Sequence, residues 1–341
     1  MRDLLARLSA ASRRVGRAVV TSVWGSAPRP EGAAMLANED GLVAGSVSGG
    51  CVESATATEI AAAIERGTAR LVTFGVTHEE AWAVGLACGG TIRIFVEPEI
   101  RPEIVAAARG PGGEVVATII EGPGTGASLR VSADGGVSGG AELPHDTIRD
   151  AALAALRREA SGTITLDRPE GATLVFLEVF PRQPRLVIIG ATDVATALVP
   201  LAQQLGYHTV VADNRAGFLT RERFSEADEL IPAWPEEAFD RIGLDETCYV
   251  CVLSHDPKFD EPAVRLVLRS PAAYIGAIGS RKTQAARRER LAAEGFTADE
   301  IARIHGPIGL DLGGRTPAET ALAILAEMTR VRYGVEEQGR K

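Results

Sequence analysis

The run PRQPRLVIIGATDVATALVPLAQQLGYHTVVADNR, residues 181–215, restricts the possible folds more than any other part of the chain. A prolyl linker leads into the apolar stretch RLVIIG, a helical run follows to Gly206, and a second apolar stretch ends at Asp213. Strands that are apolar throughout are buried on both faces, and joining two of them through a helix makes them parallel. The segment therefore reads as the opening βαβ of a doubly wound sheet. TCYVCVLS and AAYIGAIG, each followed by a helical run, predict further strands of the same kind.

Residues 184–341 are thus expected to form a C-terminal Rossmann-like domain with a parallel sheet in an α/β fold. A chain of 341 residues exceeds what one core usually serves. Residues 1–101 read as a small N-terminal α/β domain. Its elements are an amphipathic helix MRDLLARLSAASRRVG, strands at RAVVTSVWG, AAMLANEDG, GLVAGSVSGG, ARLVTFGV and TIRIFVEPE, and a helix VESATATEIAAAIERG ending at Gly67. Between these domains, 102–183 alternates glycine-rich turns with β-type runs such as EVVATIIEG and ASLRVSAD. It is expected to be a β-rich connector with one helix, TIRDAALAALRREAS.

A net charge of −9 gives no basic field for phosphate backbones, so nucleic acid is not an expected partner. No stretch approaches the roughly 20 apolar residues of a membrane span, and the opening helix lacks the apolar core of a signal peptide. Four scattered thiols in such a chain are expected to be reduced. These features predict a cytoplasmic protein without membrane contact.

Several loops could carry chemistry. At the first turn of the βαβ unit, Gly190, Ala191, Thr192 and Asp193 lack the second and third glycines of a dinucleotide fingerprint, and Asp193 puts negative charge where a phosphate would rest; NAD(P) binding is therefore disfavoured. Asp213 could hold a ribose hydroxyl or cap a turn. At the ends of later strands, His255 and Asp256 read as an acid–base pair or a strand cap. Gly279, Ser280, Arg281 and Lys282 read as an anion-binding helix start or a solvated one. In HGPIGLDLGGRTPAET, Thr316, Pro317 and Glu319 fit a capping box; the glycines before them suit a loop against a ligand or partner. Cys248 and Cys251 are three apart on a strand, so they face opposite ways and read as core. Cys51 follows Gly49 and Gly50, and Cys88 precedes Gly89 and Gly90, in loops whose amides can form an anion nest; Cys51 also stands where a helix dipole favours thiolate. With His78 as the one further soft ligand nearby, these loops are too poor in ligands for zinc.

Six segments in order, GSAPRPEGAAML, GSVSGGCVES, AVGLACGGTIRIFVEP, FLTRERFSEADELI, AYIGAIGSRKTQAARRERL and GPIGLDLGGRTPAETALAILAEM, resemble the XdhC/CoxI family of accessory proteins for xanthine dehydrogenase and carbon monoxide dehydrogenase. The resemblance implies a maturation factor without turnover of its own. Such a factor binds the molybdenum cofactor, as molybdopterin or its dinucleotide, supports its sulfuration by a cysteine desulfurase and delivers it to an apo molybdenum hydroxylase. It also suggests a homodimer. By similarity, Ser48, Gly49, Gly50, Cys51 and Glu53 with Cys88, Gly89 and Gly90 would line the cofactor pocket. The two thiolates would stand near molybdenum, for which they are suitably soft. Where many family members have Gly-Ala-Gly-His, this chain has Gly190-Ala191-Thr192-Asp193. The competing readings are an NAD(P)-dependent oxidoreductase and a nucleotide-handling enzyme using Gly279–Lys282 for phosphate.

Overall fold

In the computed structural model, which describes residues 14–25, 29–75, 90–140, 143–169 and 171–335, strand β1 (Val15–Trp24) sets the pattern for the first half of the chain. Ala18 and Val20 enter one core and Val19 another, so the period of two along the strand serves two packed layers. With β2 (Ala34–Asn38), β3 (Val43–Gly45), β4 (Arg70–Phe74) and β5 (Thr91–Glu97) it forms an antiparallel sheet in the order β3-β2-β1-β5-β4. Helix α1 (Glu53–Arg66) covers one face with Ile60, Ala63 and Ile64, one side of a 3.6-residue period. It stops at Gly67, whose φ of 69° permits the left-handed cap.

Helix α2 (Pro102–Arg109) leads to a second antiparallel sheet. It is built from β6 (Glu114–Glu121), β7 (Ser128–Ser132), β8 (Val137–Gly139), β9 (Gly162–Arg168) and β10 (Gly171–Phe180), in the order β8-β7-β6-β10-β9. Helix α3 (His145–Arg157) packs Ile148, Ala152 and Ala155 on its outer face. The inner faces of the two sheets meet through Val19, Ala34, Phe95, Ile120 and Phe176. Both sheets belong to one compact unit, Met1–Arg182.

The second unit, Gln183–Lys341, is the parallel one. Its elements are β11 (Arg185–Ile189), α4 (Asp193–Gln204), β12 (His208–Ala212), β13 (Glu229–Ile231), α5 (Pro235–Ile242), β14 (Cys248–Val252), α6 (Pro257–Leu268), β15 (Tyr274–Ala277), α7 (Arg281–Ala293), α8 (Ala298–Ala302), β16 (Ile304–His305) and α9 (Pro317–Arg332). All strand pairs are parallel, in the order β13-β12-β11-β14-β15-β16. The order reverses between β11 and β14, and crevices for ligands open at such a point, outside the carboxyl ends of the strands. Helices α5, α6 and α7 cover one face, α4 and α9 the other. Cys248 belongs to the first of these cores and Cys251 to the second, as their three-residue spacing on a strand requires. Thr316 and Glu319 form the capping box of α9, with Pro317 in its first turn.

The architecture is thus mixed α/β: antiparallel sheets first, then a Rossmann-like parallel sheet. Among the described residues, no helix is long and apolar enough to cross a membrane. Residues 1–13 of the expected opening helix, with His78, Cys88 and Gly89, lie outside the described residues; its last two, Val15 and Gly16, instead begin β1.

Candidate functional site

The loop before α1 is held by a single carboxylate. Glu53 Oε1 accepts hydrogen bonds from the Ser46 hydroxyl (2.6 Å) and from the amides of Val47 (3.2 Å), Ser48 (2.9 Å) and Gly49 (3.0 Å). Its Oε2 accepts from the Ser48 hydroxyl (2.6 Å) and the Gly50 amide (2.7 Å). Successive amides can converge in this way because Gly49 and Gly50 have φ of 82° and 132°, where a side chain would be strained. Burial opposes a charge on Glu53, but the bonds from Ser46 and Ser48 outweigh it and hold its pKa down to about 2.

This arrangement fixes what the loop presents. Val47, Ser48 and Val52 are buried, whereas Gly49, Gly50 and Cys51 are exposed. The backbone is tied on both sides of Cys51, at Gly50 through Glu53 and at Val52 through the Ser48 hydroxyl (3.0 Å). Cys51 is a free, exposed thiol. The amides that the sequence offers to a phosphate at residues 47–50 here donate to Glu53. Gly90 is buried just before β5. Among the described residues, no group of three or more His, Cys, Asp or Glu side chains could hold a metal ion.

In the second unit, the turn after β11 is braced from within. Asp213 is buried; its Oδ2 accepts from the Ala191 amide (2.7 Å) and Arg215 Nη2 (2.7 Å), and its Oδ1 from the Arg215 amide (2.8 Å) and Nε (2.9 Å). Burial works against its charge, but Arg215 and the two amides prevail and lower its pKa. Its carboxylate therefore secures the turn, the capping alternative of the two the sequence allows. Arg223 Nη2 lies 2.9 Å from Asp193, and its Nη1 donates to the Ala191 carbonyl (3.0 Å). Gly190 has φ of 112°, and a Cβ there would lie 2.7 Å from the Ser254 nitrogen at the end of β14. The glycine is therefore required by strand packing at the switch point.

Beside that point, a cleft of about 530 Å³ opens at the ends of β14 and β15, lined by His255, Asp260, Gly279, Ser280 and Arg287 among others. The structure thus brings His255, Gly279 and Ser280 together. Asp256 instead caps α6 by accepting from the Lys258 amide (2.9 Å), and Ser280 caps α7. Arg281 and Lys282 are exposed, and Arg281 stands 3.9 Å from Asp311. The floor is a polar network of buried Asp260, Glu261, Gln284 and Arg287, joined by half-buried Ser254 and by Arg290 at its exposed edge. Ser254 donates to Asp260 (2.5 Å), Glu261 Oε1 meets Arg287 Nε (3.2 Å) and Arg290 Nη2 (2.9 Å), and Arg287 Nη1 donates to Gln284 (2.9 Å). Burial pushes Asp260 up despite the Ser254 bond. Sequence reasoning missed Asp260, Glu261, Arg287 and Arg290. The available signal was the acidic pair one turn into α6, together with two arginines three residues apart on α7.

The loop HGPIGLDLGGR is anchored at its inner half. Glu327 accepts from Tyr274 Oη (2.6 Å) and from the Gly309 amide (2.9 Å), while residues 311–315 are exposed.

A model of the XdhC Rossmann domain matches residues 186–328, and one of the XdhC and CoxI family matches 8–75. The chain belongs to the XdhC/CoxI family. Over 93% of both chains, this XdhC/CoxI chain is 27% identical to a probable xanthine dehydrogenase subunit of Bacillus subtilis strain 168. It is also 27% identical, over 94% of its length and 85% of the relative's, to the molybdenum cofactor insertion chaperone PaoD of Escherichia coli K12. A crystal structure described as a xanthine dehydrogenase from Bacillus halodurans superposes with a TM-score of 0.77, covering 99% of this chain and 97% of that one at 23% identity; the fold is shared.

Proposed function

We propose that this XdhC/CoxI-family chain is a molybdenum cofactor chaperone. It binds the cofactor, as molybdopterin or its dinucleotide, holds it for sulfuration by a cysteine desulfurase, and inserts it into an apo molybdenum hydroxylase, acting as a homodimer. Similarity along nearly the whole length to a molybdenum cofactor insertion chaperone supports the reading.

The observation that carries it is the exposed Cys51 thiol on a loop tied down on both sides. A thiolate is a soft donor suited to molybdenum, and a donor whose backbone is already fixed loses little freedom when it engages a ligand. The residues fit such a cargo through Cys51, with Cys88 as the second proposed thiol. Within the second unit, and independently of Cys51, His255, Gly279, Ser280, Arg281 and Lys282 offer polar and cationic groups to an anion such as phosphate, with Asp256 holding the adjoining helix start.

The test is delivery. Chain loaded with cofactor from a donor enzyme, mixed with an apo molybdenum hydroxylase, should restore hydroxylase activity faster than the same amount of free cofactor. Equal restoration with and without the chain would contradict the proposal.

A further inference from the structure

We infer that Glu53 is the positioning residue of the Cys51 loop: its carboxylate fills the anion nest of residues 46–50 from within, closing the nest to phosphate and fixing the thiol outward. The inference rests on the reading of Cys51 as a cofactor ligand and changes what that loop contributes.

Six hydrogen bonds converge on one carboxylate, four of them from the consecutive amides of Val47, Ser48, Gly49 and Gly50. A nest of this kind ordinarily receives an external anion, because its N–H groups present fixed partial positive charge. Here the side chain supplies the anion from the first residue of α1, three positions beyond Gly50. An incoming phosphate would have to displace a tethered, half-buried carboxylate that already accepts six hydrogen bonds. The connection to Cys51 is through the backbone: Gly50 is held by Glu53 Oε2, and Val52 by the Ser48 hydroxyl, which itself donates to the same Oε2. Loss of the carboxylate frees both flanks of the thiol at once. The loop therefore provides a soft ligand in a fixed place, and the phosphate of the cargo is recognised by other groups.

Glu53→Ala removes the carboxylate and leaves a cavity that formate can enter. In the apo chain, hydrogen exchange at residues 47–50 should rise by about tenfold or more in Glu53→Ala, the scale of one lost charge-assisted hydrogen bond. Added formate should restore protection in a saturable way. Glu53→Gln, whose oxygen still accepts but whose NH2 sets a donor against the loop's donors on one side, and whose bulk blocks the cavity, should lose part of the protection without formate rescue. The wild-type chain should show no response to formate or inorganic phosphate at these amides. Wild-type amides that gain protection with phosphate, or a Glu53→Ala chain whose exchange is unchanged, would overturn the inference. These measurements contain no cofactor, so their outcome is independent of the chaperone reading. With cofactor, retention by Glu53→Ala should fall and recover with formate if the reading holds. If wild type retains cofactor and Glu53→Ala retains it equally, the positioning role is refuted while the chaperone reading survives.

Discussion

Arg17 Nη1 lies 2.7 Å from Glu97 Oε2 in the interior of the first unit, with the whole of Arg17 out of solvent. Its Nη2 pairs with Glu178 of the second sheet. Burial opposes the charge on Arg17, but attraction to Glu178 and Glu97 overcomes it and raises its pKa. Removing Arg17 takes the ion-pair partner from buried Glu178 and leaves Glu97 with Arg101 (2.6 Å), so Arg17→Met should destabilise the first unit by about 3–5 kcal/mol. Denaturant unfolding checks this, with hydrogen exchange in β1, β5 and β10 as the local reporter. A cost near zero would mean that the ion cluster does not join the sheets.

Gly190→Ala should disrupt the second unit. The substitution strains a φ of 112° and drives a Cβ to 2.7 Å from the Ser254 nitrogen. Strain and overpacking together should cost about 2–6 kcal/mol. Urea unfolding followed by exchange in β11 and β14 would measure it. A neutral effect would show that the backbone at the switch point shifts freely.

The parallel half of the fold was legible because its strands are apolar throughout and the turn at Gly190 is followed by a helix. The opposed facing of Cys248 and Cys251 followed from strand geometry alone. The two packed antiparallel sheets were harder to read, since Arg17, Glu97 and Glu178 look like surface charges until their long-range pairing is known. The site was legible to a similar degree. GGC marked an anion nest and a thiol, but Glu53 could equally point outward or back into the loop, and sequence does not fix that rotamer. The acidic and basic residues of the cleft converge from α6 and α7, which only the packing of β14 beside β15 brings together.

Thiol labelling should separate the cysteines by position. Burial raises the pKa of both Cys248 and Cys251, and the two lie in opposite cores. Iodoacetamide on the native chain, followed by peptide mapping, should modify Cys51 and spare Cys248 and Cys251 until the second unit unfolds. Equal labelling of Cys251 and Cys51 would contradict the burial.

Acid should weaken the second unit through Asp245. Burial raises its pKa, but the Thr247 hydroxyl (2.6 Å) and amide (2.9 Å), with Arg185, lower it from 3.8 to about 2. The folded pKa is below the unfolded one. This contribution is therefore complete above the ordinary value of 3.8 and is lost as pH falls toward about 2. Asp213, also depressed, acts in the same direction. Asp245→Asn should flatten the pH dependence of urea midpoints between 4 and 2, about the span of that shift. An unchanged slope would exclude Asp245 as its source.

Cys51 is proposed to hold molybdenum cofactor. The direct measurement is anaerobic titration of the reduced chain with cofactor released from a donor enzyme, followed by molybdenum and pterin analysis of the protein fraction, for wild type and Cys51→Ser. Near-stoichiometric retention by wild type, falling about tenfold or more in Cys51→Ser, is the predicted result, the loss expected when a metal ligand of the wrong softness is substituted. Equal retention by the two proteins, or none by either at micromolar concentrations, would contradict it.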